Sequence, residues 1–337
     1  MSRVCVTGAA GYIASWLVKK LLDRGCTVHG TVRNLGDEKK TEVLRGLPGA
    51  AERLVLFEAD IYDAATFEPA IQGCEFVFLV PAPLHHNSGS SKYKDTTEAT
   101  MDATRTILQQ CERSKTVRRV IHTGSVVTAS PLREDGDGYK EFVSESCWTS
   151  LGLPYDHSNE HLDAYVSSKT ISEKELLKYN DDFFEGRVLD VVVLVCGLVG
   201  GDTLLPHISD SLHAMLSPLT GAELYHNSLK FLQALLGSVP LVHVDDVCEA
   251  HVFCMEKSSD VVGGRYLCTT AHTNMHDILE HYVRRHPELE RIKEVVGEGV
   301  RVQANTNKLV ELGFKYKYGE EEVLDGSVDC GKRLGLL

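Results

Sequence analysis

The sequence predicts an α/β fold built on a doubly wound parallel sheet, and three observations carry that prediction. Short, almost continuously apolar β-rich runs alternate with amphipathic stretches through roughly the first 200 residues. A glycine turn joins the first run to the first amphipathic stretch. The composition, 43% hydrophobic and 25% charged over 337 residues, is that of a globular chain with room for one large α/β unit or two closely packed domains.

The β-rich runs fall at residues 4–7, 27–33, 54–59, 76–80, 119–123 and 189–195, with helical patterns at 12–24, 64–71 and 97–113 between them. Strands of continuous hydrophobicity separated by helices indicate a parallel sheet covered on both faces. After Gly197 the pattern weakens. Residues 204–237 read as mostly helical, broken at Pro206, Pro218 and Gly221. A strand at 241–244, a helix at 245–257 and a strand at 264–269 precede a mixed tail. Residues 1–196 with 240–269 are therefore assigned to a dinucleotide-binding domain. Residues 197–239 with 270–337 are assigned to a smaller, discontinuous α/β substrate domain.

The formal net charge of −13 argues against a nucleic-acid or anionic-membrane partner. An anionic cofactor would need a local cluster of positive charge. No run approaches the ~18 apolar residues of a membrane span. Met1-Ser2-Arg3 leads directly into a short apolar run broken by glycine, unlike a signal peptide. The ten cysteines are scattered without CxxC pairs, as expected of buried thiols in a reducing cytosol.

Val4-Cys5-Val6-Thr7-Gly8-Ala9-Ala10-Gly11-Tyr12-Ile13-Ala14 reads as strand, turn and helix start. Gly8 permits the turn, and Gly11 lets the backbone approach a pyrophosphate that meets the free N–H groups of the helix. Thr7, Gly8, Gly11, Tyr12 and Ile13 are the expected contacts. An acidic residue at the tip of the second strand would select NAD. This chain has Arg33 there, with Lys40 close behind, and both can pair with a 2′-phosphate, so NADPH is favoured over NADH. Asp60-Ile61 after the third strand and Val80-Pro81-Ala82 after the fourth flank the expected cofactor track, although each is also a plain strand end.

Tyr165 and Lys169 stand four apart, on one face of a helix. Carbonyl reduction needs an acid for the oxygen, and a nearby ammonium favours the phenolate that proton donation leaves. The spacing alone is a short motif open to chance. Its context strengthens it: the pair follows the fifth strand, whose tip carries Thr123-Gly124-Ser125. Ser125 can hydrogen-bond a substrate carbonyl. Tyr165 as a packing residue and Ser125 as a strand-end cap are the alternatives. His157/His161 and His272/His276 have metal-compatible spacing but no accompanying ligand set, so no metal is expected. His243-Val244-Asp245-Asp246 reads as a strand end and helix cap.

These residues resemble the plant dihydroflavonol reductase family of extended short-chain reductases. That family includes dihydroflavonol 4-reductases, anthocyanidin reductases, cinnamoyl-CoA reductases and the closely similar HC-toxin reductase. The resemblance runs almost end to end. It rests on residues 4–14, Arg33 with Lys40, Leu56-Phe57-Glu58-Ala59-Asp60, Gly73-Cys74, Ser114-Lys115-Thr116-Val117 and the Tyr165/Lys169 pair. Val242-His243-Val244-Asp245-Asp246 and Leu312-Gly313-Phe314-Lys315-Tyr316-Lys317-Tyr318 complete it. Val120-Ile121-His122-Thr123 and Glu145-Ser146-Cys147-Trp148-Thr149 look most like the HC-toxin reductase branch.

The resemblance implies a proton relay of Ser125, Tyr165 and Lys169, with Lys169 also holding the nicotinamide ribose. It implies an NADPH track past Cys196 and Val199, where Cys196 replaces the family's usual proline. Ser130, followed by Pro131, stands where family members commonly carry an asparagine facing the flavonoid rings. The implied activity is reduction of the 4-keto group of a flavanone or dihydroflavonol by a cytoplasmic monomer. A toxin-type ketone is the runner-up substrate, and an anthocyanidin the third. A nucleotide-sugar epimerase and a non-catalytic NADPH-binding regulator are the readings of a different class. Substrate contacts are expected from residues 84–94, 130–160 and 204–237.

Overall fold

A computed structural model describes residues 2–80, 92–181, 189–257, 261, 263–292, 301–304 and 308–337. The chain divides into two compact units. The first comprises Met1–Gly124, Ser167–Leu194 and Cys248–Arg265; the second comprises Ser125–Val166, Val195–Val247 and Tyr266–Leu337.

The early strands are β1 (Arg3–Val6), β2 (Thr27–Val32), β3 (Leu54–Glu58), β4 (Phe76–Leu79), β5 (Arg119–Ser125) and β6 (Phe142–Val143). They are followed by β7 (Asp190–Cys196), β8 (Leu198–Gly200), β9 (Val239–His243), β10 (Gly264–Cys268), β11 (Ala271–Thr273) and β12 (Gln303–Ala304). The helices begin with α1 (Tyr12–Asp23), α2 (Glu38–Arg45), α3 (Ala50–Arg53), α4 (Glu68–Ile71), α5 (Thr96–Ser114) and α6 (Glu160–Asp181). Next come α7 (Asp210–Thr220), α8 (Glu223–Leu236), α9 (Val244–Glu256), α10 (Met275–Arg285), α11 (Lys308–Glu311) and α12 (Glu320–Arg333).

The expected sheet is present: seven strands in the order β10-β7-β5-β4-β1-β2-β3. Parallel pairing sets Val4 opposite both Val28 and Phe76, and Phe78 opposite Ile121. Val4, Val28, Ile121 and Val193 are fully buried. Helix α1 buries Leu17, Val18, Leu21 and Leu22, the i, i+1, i+4, i+5 stripe of an amphipathic helix against a sheet. Each such side chain contributes ~1.5–3 kcal/mol on burial. The chain steps outward from β1 to β2 and β3, then returns to β4 on the other side of β1. The order therefore reverses beside β1, and that is where ligands of doubly wound sheets bind.

The second unit holds a three-stranded sheet, β11-β9-β8, with β8 and β9 parallel and β9 and β11 antiparallel. Pro218, expected to break a helix, lies inside α7. It cannot donate to the Ala214 carbonyl one turn back, and the Ser217 hydroxyl does so instead at 2.7 Å. The tail motif docks on the Asp246 carboxylate, which accepts the backbone N–H groups of Lys317 and Tyr318 at 3.0 Å each. His243 stacks on Tyr318 at 3.9 Å between ring centroids. The His-Val-Asp-Asp run is thus a strand end that anchors the tail.

The domain bounds differ from the expectation. Residues 125–166 join the second unit, and of the later segments it is 248–265 that joins the first. Beyond Ser125 the chain leaves the sheet and bonds to α8: Ser130 Oγ donates to the Leu235 carbonyl and Tyr139 Oη to the Ala234 carbonyl, each at 2.5 Å. Nothing in the local periodicity of 125–166 announces those partners.

Candidate active site

The end of β1 is stitched to the end of β4. Thr7 donates its backbone N–H to the Phe78 carbonyl at 3.0 Å and its hydroxyl to the same oxygen at 3.2 Å. The hydroxyl also accepts from Val80 N at 3.2 Å. Gly8 follows with φ +58°, a conformation that glycine adopts without the Cβ penalty. Gly8 N donates to Thr31 Oγ1 at 3.1 Å, and Gly11 N to the Gly8 carbonyl at 2.9 Å. A Cβ on Gly11 would sit 3.3 Å from that carbonyl, so the turn is closed by the absence of a side chain. Gly11 caps α1 with backbone only, and the first turn, Tyr12-Ile13-Ala14, carries no acid. The positive end of the helix dipole suits a pyrophosphate. Tyr12 and Ile13 are half-buried on that turn.

Arg33 is exposed one residue past β2 and makes no ion pair among the described residues. Lys40 is exposed on α2, its Nζ 3.4 Å from the Asp37 carboxylate. Of the two expected cations, Arg33 is the uncommitted one. Asp60 accepts from Tyr62 N at 3.0 Å, which shapes the turn after β3, and Ile61 is half-buried beside it. Val80 is buried. Pro81 and Ala82 lie outside the described residues.

Helix α6 begins at Glu160, where the Asn159 side chain accepts from Leu162 N at 3.0 Å. Tyr165 is half-buried, and its phenol makes no hydrogen bond to any described residue. One turn on, Lys169 is buried, with Nζ 3.4 Å from the Thr123 carbonyl it donates to. The Thr123 hydroxyl is hydrogen-bonded to His251 Nε2 at 2.8 Å. Next to Thr123 on β5, His122 is buried. Burial, with the Lys169 charge as the second cause, pushes its imidazole down to about 3. Sequence reasoning did not single out His122; its adjacency to Thr123 was the available signal.

Ser125 ends β5 and caps the short turn Val126–Thr128, its Oγ accepting from Val127 N at 3.4 Å. The hydroxyl is used there as an acceptor, which leaves its O–H free to donate elsewhere. Capping and chemistry are therefore compatible.

Ser130 is placed differently from the expectation of a ring-facing residue. It is 1% exposed, its hydroxyl donates to Leu235 O and it also accepts from Leu132 N at 3.1 Å. Both roles are spent on backbone. Cys196 and Val199 are buried in β7 and β8. Among the described residues two other groups come within metal-binding distance, His276/Asp277/Glu280 and His281/His286/Asp325. In the second, both His Nε2 atoms bond to Asp325 Oδ1, and Arg285 holds Oδ2 at 3.0 Å.

The fold and this arrangement define a dinucleotide-binding oxidoreductase with a Tyr/Lys pair. Residues 4–269 match the NAD dependent epimerase/dehydratase family. An anthocyanidin reductase ((2S)-flavan-3-ol-forming) from Vitis vinifera is 34% identical over 336 residues, covering 99% of this chain and 96% of that protein. A bifunctional dihydroflavonol 4-reductase/flavanone 4-reductase from Malus domestica is 32% identical over 337 residues, covering 99% and 91%. The crystal structure of vestitone reductase from alfalfa (Medicago sativa) superposes with a TM-score of 0.79 at 31% identity, covering all of both chains. The chain belongs to the NAD dependent epimerase/dehydratase family, among relatives that are plant flavonoid reductases.

Proposed function

We propose that this chain is an NADPH-dependent carbonyl reductase that converts the 4-keto group of a flavonoid, a flavanone or dihydroflavonol, to the 4-hydroxy product. The observation that carries the reading is the Tyr165/Lys169 pair on α6, with the phenol unengaged and the ammonium tied to the Thr123 carbonyl. Relatives named for flavonoid reduction support the substrate class.

Gly8, Gly11 and the start of α1 hold the pyrophosphate, Arg33 with Lys40 receives the 2′-phosphate, and Lys169 holds the nicotinamide ribose. The cofactor, when bound, supplies a hydride to the carbonyl carbon. Ser125 donates a hydrogen bond to the carbonyl oxygen and orients it. Tyr165 gives its phenolic proton to that oxygen, so C=O becomes CH–OH. The Lys169 ammonium stabilises the resulting phenolate until it regains a proton from solvent. Positioning and charge stabilisation supply most of the rate.

We place the protein in the cytosol, in keeping with its ten free, buried cysteines, and as a single chain, which gel filtration tests. No helix among the described residues is long and apolar enough to cross a membrane.

The test is NADPH consumption with product identification over flavanones, dihydroflavonols, anthocyanidins, hydroxycinnamoyl thioesters and an aliphatic epoxyketone. A 4-hydroxylated flavonoid is the expected product. Turnover of the epoxyketone alone would reassign the enzyme to toxin-type ketones, and no turnover of any flavonoid would overturn the reading. NAD retained through purification would favour an epimerase instead.

A further inference from the structure

Within the first unit, a cavity of about 40 Å³ lies between the sheet and helices α5 and α6. Its polar lining includes Thr7, Thr104, His122, Ser168, Lys169 and Ser172. His122 Nδ1, Ser168 Oγ and Ser172 Oγ are buried and have no partner of hydrogen-bonding geometry among the described residues. Buried polar groups without partners are rare, because each forfeits its bonds to water. Lys169 presents three N–H donors, and Thr123 O takes one. A polar cavity of this size has room for two or three waters, at roughly 10–15 Å³ of such volume each.

We propose that this cavity holds a small cluster of ordered waters linking the Lys169 ammonium to His122, Ser168 and Ser172, and that His122 is a positioning residue for Lys169. The proposal rests on the Tyr165/Lys169 reading above. An empty cavity would leave the three side-chain atoms unsatisfied, whereas two or three waters satisfy them and supply acceptors to the ammonium together. The titratable groups facing His122 are Lys169 and His251. Burial and the adjacent ammonium keep the imidazole neutral, and a neutral ring retains a lone pair for a water proton. The water-linked acceptors satisfy the ammonium's remaining N–H groups and fix its position beside the Tyr165 phenol.

The experiment compares the full-length wild type with His122→Phe, His122→Asn and Ser172→Ala, and includes Tyr165→Phe as a control on the parent reading. Each is assayed for kcat and KM against pH with the best flavonoid substrate, and the wild type is crystallised at high resolution. Waters bonded to His122 and Lys169 are expected in the cavity. In His122→Phe the alkaline limb of kcat should move down by about one pH unit, the size of one lost charge-assisted hydrogen bond, with KM little changed. His122→Asn, which keeps an acceptor, should restore most of the limb, and Ser172→Ala should move it part of the way. A dry cavity, or a His122→Phe profile that superposes on wild type, overturns the proposal. Wild-type turnover in Tyr165→Phe would instead overturn the parent reading and leave the crystallographic result to judge the waters alone.

Discussion

Thr123 holds Lys169 through its backbone: the ammonium donates to the Thr123 carbonyl across 46 residues of sequence. The same residue's hydroxyl is bonded to His251 on α9. The strand that ends in Ser125 thus also fixes the amine that partners Tyr165, and a side-chain replacement at Thr123 leaves that carbonyl in place. The position of the Lys169 ammonium therefore depends on the β5 backbone.

Tyr165→Phe should lower kcat by ~10²–10⁴, the usual worth of a general acid. NADPH affinity, read by fluorescence titration, should stay within about twofold, since the phenol is unengaged in the free protein. Wild-type-like turnover would remove Tyr165 from its assigned role.

Arg33→Gln should raise KM for NADPH about tenfold or more and leave KM for NADH nearly unchanged, because a charge-assisted pair to the 2′-phosphate is worth about 1.5–3 kcal/mol. Lys40→Gln should do less, since its ammonium is shared with Asp37. Equal losses with both cofactors would place the 2′-phosphate elsewhere.

Asp246→Ala should destabilise the second unit by roughly 2–5 kcal/mol, since it strands the N–H groups of Lys317 and Tyr318. Thermal unfolding together with limited proteolysis of the tail checks this. An unchanged midpoint would mean that the tail finds other acceptors.

Acid should weaken the fold through two buried histidines. His122 lies at about 3 and His272 at about 4, both pushed below their ordinary 6.5 first by burial. Between pH 6.5 and about 4 the unfolded chain binds protons that the folded chain refuses, so stability falls as pH falls. Each ring contributes a slope of up to ~1.4 kcal/mol per pH unit. Urea melts at pH 7.5, 6.0 and 5.0 should show the decline, and His272→Gln should flatten it. A stability independent of pH over that range would contradict the burial of both rings.

Much of the sheet is legible in the sequence because a strand buried on both faces must be apolar at nearly every position, and β4 and β7 read that way. The glycine turn is legible because Gly8 needs a positive φ and Gly11 a missing Cβ. The Tyr165/Lys169 pair is legible because four residues make about one helical turn. Pro218 misled because its helix is rescued by a neighbouring hydroxyl, a compensation that residue types alone do not announce.

By itself the sequence determined what local chemistry dictates: strand and helix order, the glycine turn after β1, the cation at the β2 tip and a tyrosine and a lysine one turn apart on α6. The tertiary structure alone decided which distant groups meet. It tied Ser130, expected as a ligand contact, to the Leu235 carbonyl, 105 residues away. It also gave residues 125–166 to the second unit and set His122 beside Lys169. The reason is physical: periodicity fixes the face on which a side chain emerges, while its hydrogen-bond partner is whatever polar atom the packed chain brings within about 3 Å.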